Sequence, residues 1–110
     1  MNHLSSYLKS HRIVGKRINV SLYPTLANEI PDDTLVIESV FKDEELDKIN
    51  EYCAPYLSEF GVTAFSETLG DMLVCVGVEN EKKGFIYYFD MDFGCFKLDD
   101  SIEKFVSKLI

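Results

Sequence analysis

Apolar residues recur at two spacings along this 110-residue chain, one helical and one extended. Leu4, Tyr7, Leu8 and His11 stand at i, i+3, i+4 and i+7, which predicts a short first helix with His11 packed on its apolar side. Ile18, Val20 and Leu22 then alternate with Arg17, Asn19 and Ser21, the period of a half-buried strand, and Pro24 closes it. Ala27 to Asp33 reads as turn chemistry, and Leu35 to Phe41, apolar and β-branched, as a second strand. A helix is expected next, with Asp43 as N-cap and Glu44 and Glu45 in a first turn whose dipole favours negative charge. Its apolar stripe is Leu46, Ile49 and Cys53, which turns Cys53 to the core as an inert thiol, and Pro55 is expected to stop it.

After Gly61 the spacing shortens again. Val62 to Phe65 predicts a strand, Ser66 to Gly70 a turn, and Met72 to Val78 a strongly apolar strand. Glu79 to Gly84 is a polar hairpin loop with Gly84 available for a positive φ, and Phe85 to Phe89 returns as an aromatic strand. Asp90 to Gly94 turns the chain, and Cys95 to Leu98 is a short further strand. Asp100 and Glu103 stand at capping-box spacing before a last helix, whose stripe is Ile102, Phe105, Val106, Leu109 and Ile110. Phe105, mid-stripe, is expected to be buried. Together these elements predict one α+β domain over residues 1–110, with an antiparallel sheet of about four to six strands and helices packed on it.

Composition narrows the class. Eight Phe and six Tyr provide core volume without Trp. Three Cys, an odd number without a CxxC pair, argue against a disulfide framework and against a structural zinc site, and point to a reducing cytoplasm. No run approaches the ~18 apolar residues of a membrane span, and the first residues lack the apolar core of a signal peptide. The net charge of −8 is unevenly placed: residues 1–17 hold four bases and no acid, and the rest holds seven bases against nineteen acids. Such a surface repels nucleic-acid backbones and attracts basic proteins, although solubility alone would also account for it.

No catalytic constellation emerges. Asp90-Met91-Asp92-Phe93-Gly94 has the start of a calcium loop, but Phe93 takes the place of an oxygen ligand and Ser101 that of the closing Glu, so a solvated acidic turn accounts for it better. Ser101 has no credible base, because His3 and His11 both lie near the other end of the chain. The acids Asp43, Glu44, Glu45, Asp99 and Asp100 sit at predicted helix starts, where capping explains them. The six Gly are scattered and form no phosphate loop. No cofactor, metal or enzymatic activity is therefore expected.

One resemblance goes further. Phe65, Gly70-Asp71, Met72 to Val76, Gly84, Ile86-Tyr87-Tyr88-Phe89-Asp90 and Ser101-Ile102-Glu103-Lys104-Phe105 follow an order that resembles the end of a SUKH-superfamily (Smi/Knr-like) domain. Leu46 to Tyr52 is similar to that family's middle helix, so the resemblance covers about two thirds of the chain. The first forty residues depart from it, with neither Leu-Pro-x-x-Tyr nor Asn-Gly-Gly. The resemblance implies an immunity protein, cytoplasmic and monomeric until it forms a heterodimer with the C-terminal domain of a cognate bacterial toxin, most simply a cationic nuclease. The alternative it implies is an intracellular regulatory scaffold. For partner contacts the candidates are the acids of two hairpin loops, Asp90 and Asp92 on one and Glu79 and Glu81 on the other, because such turns are exposed and can present charge to a cleft.

Overall fold

The computed structural model describes residues 6–8, 10–70 and 72–110, the side chains of Asp43 and Asn80 excepted. Strands β1 (Arg17–Asn19), β2 (Thr34–Val40), β3 (Val62–Thr68), β4 (Leu73–Gly77), β5 (Ile86–Asp90) and β6 (Gly94–Asp99) pair in chain order into one antiparallel sheet. Helices α1 (Pro24–Glu29), α2 (Asp43–Leu57) and α3 (Ile102–Ser107) pack on it, and residues 6–8 and 10 are also helical. The architecture is the expected α+β arrangement.

Period-two alternation in the central strands feeds two cores at once. Val74, Val76, Ile86 and Tyr88 face one side, where they pack with Ile18, Leu26, Ile102 and Phe105 from β1, α1 and α3. Leu73, Cys75, Tyr87 and Phe89 face the other side, against Leu57, Ile49 and Cys53 of α2. A bulge lets β3 serve both. Ala64 pairs with Cys75 and Ser66 with Val74, so Phe65 is one residue too many. Ala64 then packs toward α2 while the Phe65 ring enters the opposite core.

The structure departs from the sequence reading at several boundaries, each for a local reason. β1 ends at Asn19; Val20–Leu22 is a 3-10 turn held by Val20 N–H donating to Asp33 O at 3.1 Å, and Leu22 is exposed. Pro24 opens α1 instead of merely ending a strand, since a proline at the first helical position gives up an N–H that has no helical partner anyway. Ser66 and Thr68 belong to β3, not to a turn: Ser66 Oγ donates to Ser39 O at 2.7 Å, and pairing with β2 outweighs local turn preference. Pro55 lies inside α2, which runs on through buried Leu57 and a 3-10 turn to Gly61, at φ 66°. Pro55 forfeits the bond to the carbonyl four residues back, a cost carried by the burial of Leu57 two residues on.

The caps shift by one residue. Lys42, not Asp43, is the N-cap of α2, and its N–H donates to Glu45 Oε1 at 3.0 Å. Ser101, not Asp100, caps α3 by accepting from Lys104 N–H at 3.2 Å. Asp100 instead pairs with Lys97 at 2.7 Å and with Lys104 at 3.7 Å, and the Lys97 ammonium holds its carboxyl below the usual carboxylate range. Phe105 is fully buried as expected, with Ile102 beside it and Val106 and Leu109 half-buried. Ile110 turns its side chain outward while its backbone exchanges two hydrogen bonds with Arg17, at 2.8 and 2.9 Å. Leu4 of the expected first helix lies outside the described residues, and His11 is exposed, not packed in a core, with its ring stacked on Tyr7 at 4.0 Å.

Candidate functional site

The four acids singled out from sequence occupy opposite ends of the sheet. Asp90 and Asp92 lie at the β5–β6 turn, and Glu79 and Glu81 in the loop before β5. The five residues of β5 separate the pairs by about 16 Å. Asp92, Glu79 and Glu81 are exposed, but Asp90 is not, at 7 % of its accessible area. Its Oδ1 accepts the backbone N–H groups of Asp92 at 2.7 Å and Phe93 at 3.1 Å, so the carboxylate shapes the turn. Burial, and then the Asp90 charge, push the Tyr88 phenol well above its ordinary value. The Glu79–Glu81 loop is tied down separately. Lys82 Nζ donates to Phe60 O at 2.9 Å, and Gly77 leaves the room in which the Lys82 carbonyl sits; any Cβ there would collide with it.

The site that sequence reasoning missed lies between α2 and the sheet. Here a groove of about 640 Å³ has buried Leu73 and Phe89 in its floor and Tyr52, Tyr56 and Met91 at its rim, with half-buried Cys53 in its wall. Tyr52 is 82 % exposed, Met91 58 % and Tyr56 46 %, a concentration of large apolar surface that folding alone does not call for. A signal was present in the sequence. Tyr52 and Tyr56 stand at i and i+4, each three residues beyond a member of the core stripe, Ile49 and Cys53, so the apolar arc of the helix is wider than the sheet can cover.

Asn50 holds α2 at this place. Its Oδ1 accepts from Ala64 N–H at 2.9 Å, and its Nδ2 donates to Ala64 O at 3.1 Å and Leu46 O at 2.9 Å. The side-chain amide thus pairs with the edge of β3 where β2 has already ended at Val40. This two-point bond is the polar counterpart of the packing by Ile49, Cys53 and Leu57.

All three cysteines are free and belong to the α2 side of the sheet. Cys53 is half-buried at the groove, not sealed in a core. Burial raises each thiol: Cys53 modestly, Cys75 well above its ordinary value with the neighbouring Cys95 and Cys53 adding to the effect, and Cys95 to about 11 against the pull of the Lys82 ammonium. These are poor nucleophiles at neutral pH. Among the described residues no group of three or more His, Cys, Asp or Glu side chains is placed to hold a metal ion, and no helix is long and apolar enough to cross a membrane.

A buried carboxylate, Asp99, closes the opposite side. Tyr23 Oη donates to Asp99 Oδ2 at 2.7 Å, and Lys108 Nζ reaches Asp99 Oδ1 at 2.6 Å, which ties the start of α1 to the end of β6 and the residues after α3. Burial, then the Asp99 carboxylate, push the Tyr23 phenol well above its ordinary value. Every strong acceptor here is engaged within the fold, so this cluster locks the helices in place.

An exposed aromatic groove thus lies along a strongly acidic helix. Residues 12–110 match the profile of the RhsPI family. The chain belongs to this family of Rhs-associated immunity proteins. No curated protein matches it.

Proposed function

We propose that this chain neutralises the C-terminal toxin domain of a cognate Rhs protein by binding it one-to-one and covering its active site or the path of its substrate. Membership of an immunity family over residues 12–110 is the observation that carries this reading. The proposed target is a cationic nuclease, and charge supports it: residues 43–57, the whole of α2, hold five acids and one lysine, half of the net −8 of the chain. A surface of that sign suits a cleft built to hold phosphates and speeds association by steering. The proposed contacts are the exposed acids, Asp92 at one end of the sheet and Glu79 and Glu81 at the other, with Asp90 setting the turn that presents Asp92. The proposed compartment is the cytoplasm, where free thiols such as these persist. Kinship with SUKH domains is proposed for residues 62–110; the succession β3, β4, β5, β6, α3 supports it.

The test is reconstitution. The purified toxin domain is assayed on DNA and RNA with increasing amounts of this chain, and the same pair is co-expressed in cells. Activity is expected to fall to zero at a one-to-one ratio and growth to be restored. A toxin domain that ignores nucleic acids would end the nuclease assignment. A complex that forms while the toxin stays active and lethal would end the neutralisation itself.

A further inference from the structure

We infer that the groove between α2 and the sheet is the docking site for the toxin, and that it receives a segment presenting an apolar anchor beside a lysine or arginine. This deepens the reading above and rests on it, since the partner class comes from there. The geometry selects the occupant in three steps.

The first is shape. The groove has an apolar floor, Leu73 and Phe89, that is already buried within the fold, and a rim of Tyr52, Tyr56 and Met91 that is not. Aromatic and methionine side chains around a concave apolar floor are the composition of energetic centres at protein interfaces. Tyrosine suits this use because two torsions fix a large amphipathic surface, so little entropy is lost on contact.

The second step is charge. Helical geometry places Glu44 and Glu51 four residues before and three after the rim residue Lys48, on the outward side of Tyr52. Both are exposed, as is Asp47. Dipole stabilisation explains acids only in the first turn and fades beyond it. Asp47 and Glu51 lie past that turn, and at i, i+4 they repel one another. The helix therefore carries five acids against the single Lys48, an excess that its first-turn dipole does not explain, placed next to exposed tyrosine rings. A lysine or arginine arriving there meets carboxylates and ring faces together, and both attract it. Asp92, on the turn that carries Met91, adds a further carboxylate on that side of the sheet's end.

The third step is rigidity. The Asn50–Ala64 pairing and the Leu57 anchor fix α2 against β3, so the rim is held in position before any partner arrives. A preformed surface avoids the ordering cost that weakens flexible ones.

The experiment titrates the purified cognate toxin domain with wild-type protein and three double variants, each checked for a wild-type thermal melt. Tyr52→Ala/Tyr56→Ala is expected to weaken binding at least ~100-fold, mainly through faster dissociation, as loss of a central anchor does. Glu44→Gln/Glu51→Gln is expected to slow association several-fold and flatten its salt dependence, with a smaller change in dissociation. Asp32→Asn/Asp33→Asn, exposed in the loop between α1 and β2, is expected to leave dissociation unchanged. Tyr52→Ala alone, at the most exposed position, serves if the double variant melts early. A folded tyrosine variant with wild-type affinity overturns the groove while wild-type binding and protection uphold the immunity reading. Failure of the wild-type protein to bind the toxin at all overturns both.

Discussion

The two faces of the sheet are built from alternate residues of the same strands, yet they are finished differently. On the side of α1 and α3, helices, loop and strand ends converge until Phe65, Tyr88 and Phe105 are sealed, and the buried Asp99 carboxylate is held by Tyr23 and Lys108. On the side of α2 a single helix covers a smaller core and leaves a groove along one edge, with tyrosines standing clear of it. One face thus carries the stability of the domain and leaves the other free to spend apolar surface on a partner. The difference teaches where to look in a small acidic domain: not at its sharpest turns, but at the helix whose apolar arc is wider than its seat.

The contrast is broken most directly at its closed side. Phe105→Ala removes a fully buried ring and is expected to cost about 3–5 kcal/mol, a large share of the stability of a domain this size. Urea unfolding of wild type and variant measures it. A loss below about 1 kcal/mol would mean that the α3 side is not the stable one, and the comparison would fall.

A smaller effect is expected at the hinge between the faces. Asn50→Ala deletes both bonds to Ala64, a fully buried residue whose N–H and C=O then lack partners. The expected cost is about 2–3 kcal/mol, less whatever water recovers at the groove side. Because α2 carries the rim, the same variant is expected to lose toxin affinity as well as stability, whereas Phe105→Ala is expected to bind normally below its melting temperature. Equal loss of affinity in the two variants would show that the faces are not independent.

Alkaline pH separates the thiols, all on the α2 face, from the phenols. The folded pKa of Cys75 and of Cys95 is raised above the ordinary 9.0, and that of Tyr23 and Tyr88 above the ordinary 10.0. For a group raised in the folded state the stabilisation is complete below the unfolded value and is lost as pH rises through the folded one. Stability is therefore expected to begin falling near pH 9, when unfolded thiols of the α2 face ionise, and to fall faster above pH 10, when unfolded phenols join them, Tyr23 and Tyr88 from the other face and Tyr87 from this one. Cys95→Ala is expected to flatten the early part of the curve between pH 9 and 11 and to leave the later part. An unchanged curve in that variant would leave the early decline to Cys75 and Cys53.

Much of this was legible in the chain, and the failures share a cause. All six strands, the first with its end misplaced, and the two longer packing stripes follow from the apolar pattern, because period two and period 3.6 are set by the core each residue must reach. Phe105 was legible for that reason. What escaped was decided by partners distant in sequence. Val20 to Leu22 alternates like a strand but bonds to Asp33 and turns. Ser66 and Thr68 look like turn residues but pair with β2. Pro24 and Pro55 signal a stop, yet one starts a helix and the other is carried through by Leu57. At the site, Asp90 was read as an exposed acid because it stands at a turn, and its neighbours' N–H groups claim it instead. The groove needs Tyr52 and Met91, 39 residues apart, on one surface, and no local pattern encodes that.

The smallest expected effect is the one that sharpens the comparison most. Tyr52→Ala removes a large aromatic side chain from a helix that packs on the sheet, and at a closed face such a change would cost several kcal/mol. Here the ring is 82 % exposed and lies outside both cores. Alanine also forms helix more readily than tyrosine, by a few tenths of a kcal/mol. The expected change in stability is therefore within about 0.5 kcal/mol of zero, in either direction. Differential unfolding in urea resolves it, with Phe105→Ala as the internal standard. A destabilisation above about 1 kcal/mol would mean that Tyr52 packs against the fold in solution and closes the groove. A neutral result leaves an aromatic ring that the fold does not need, held at the rim of the groove.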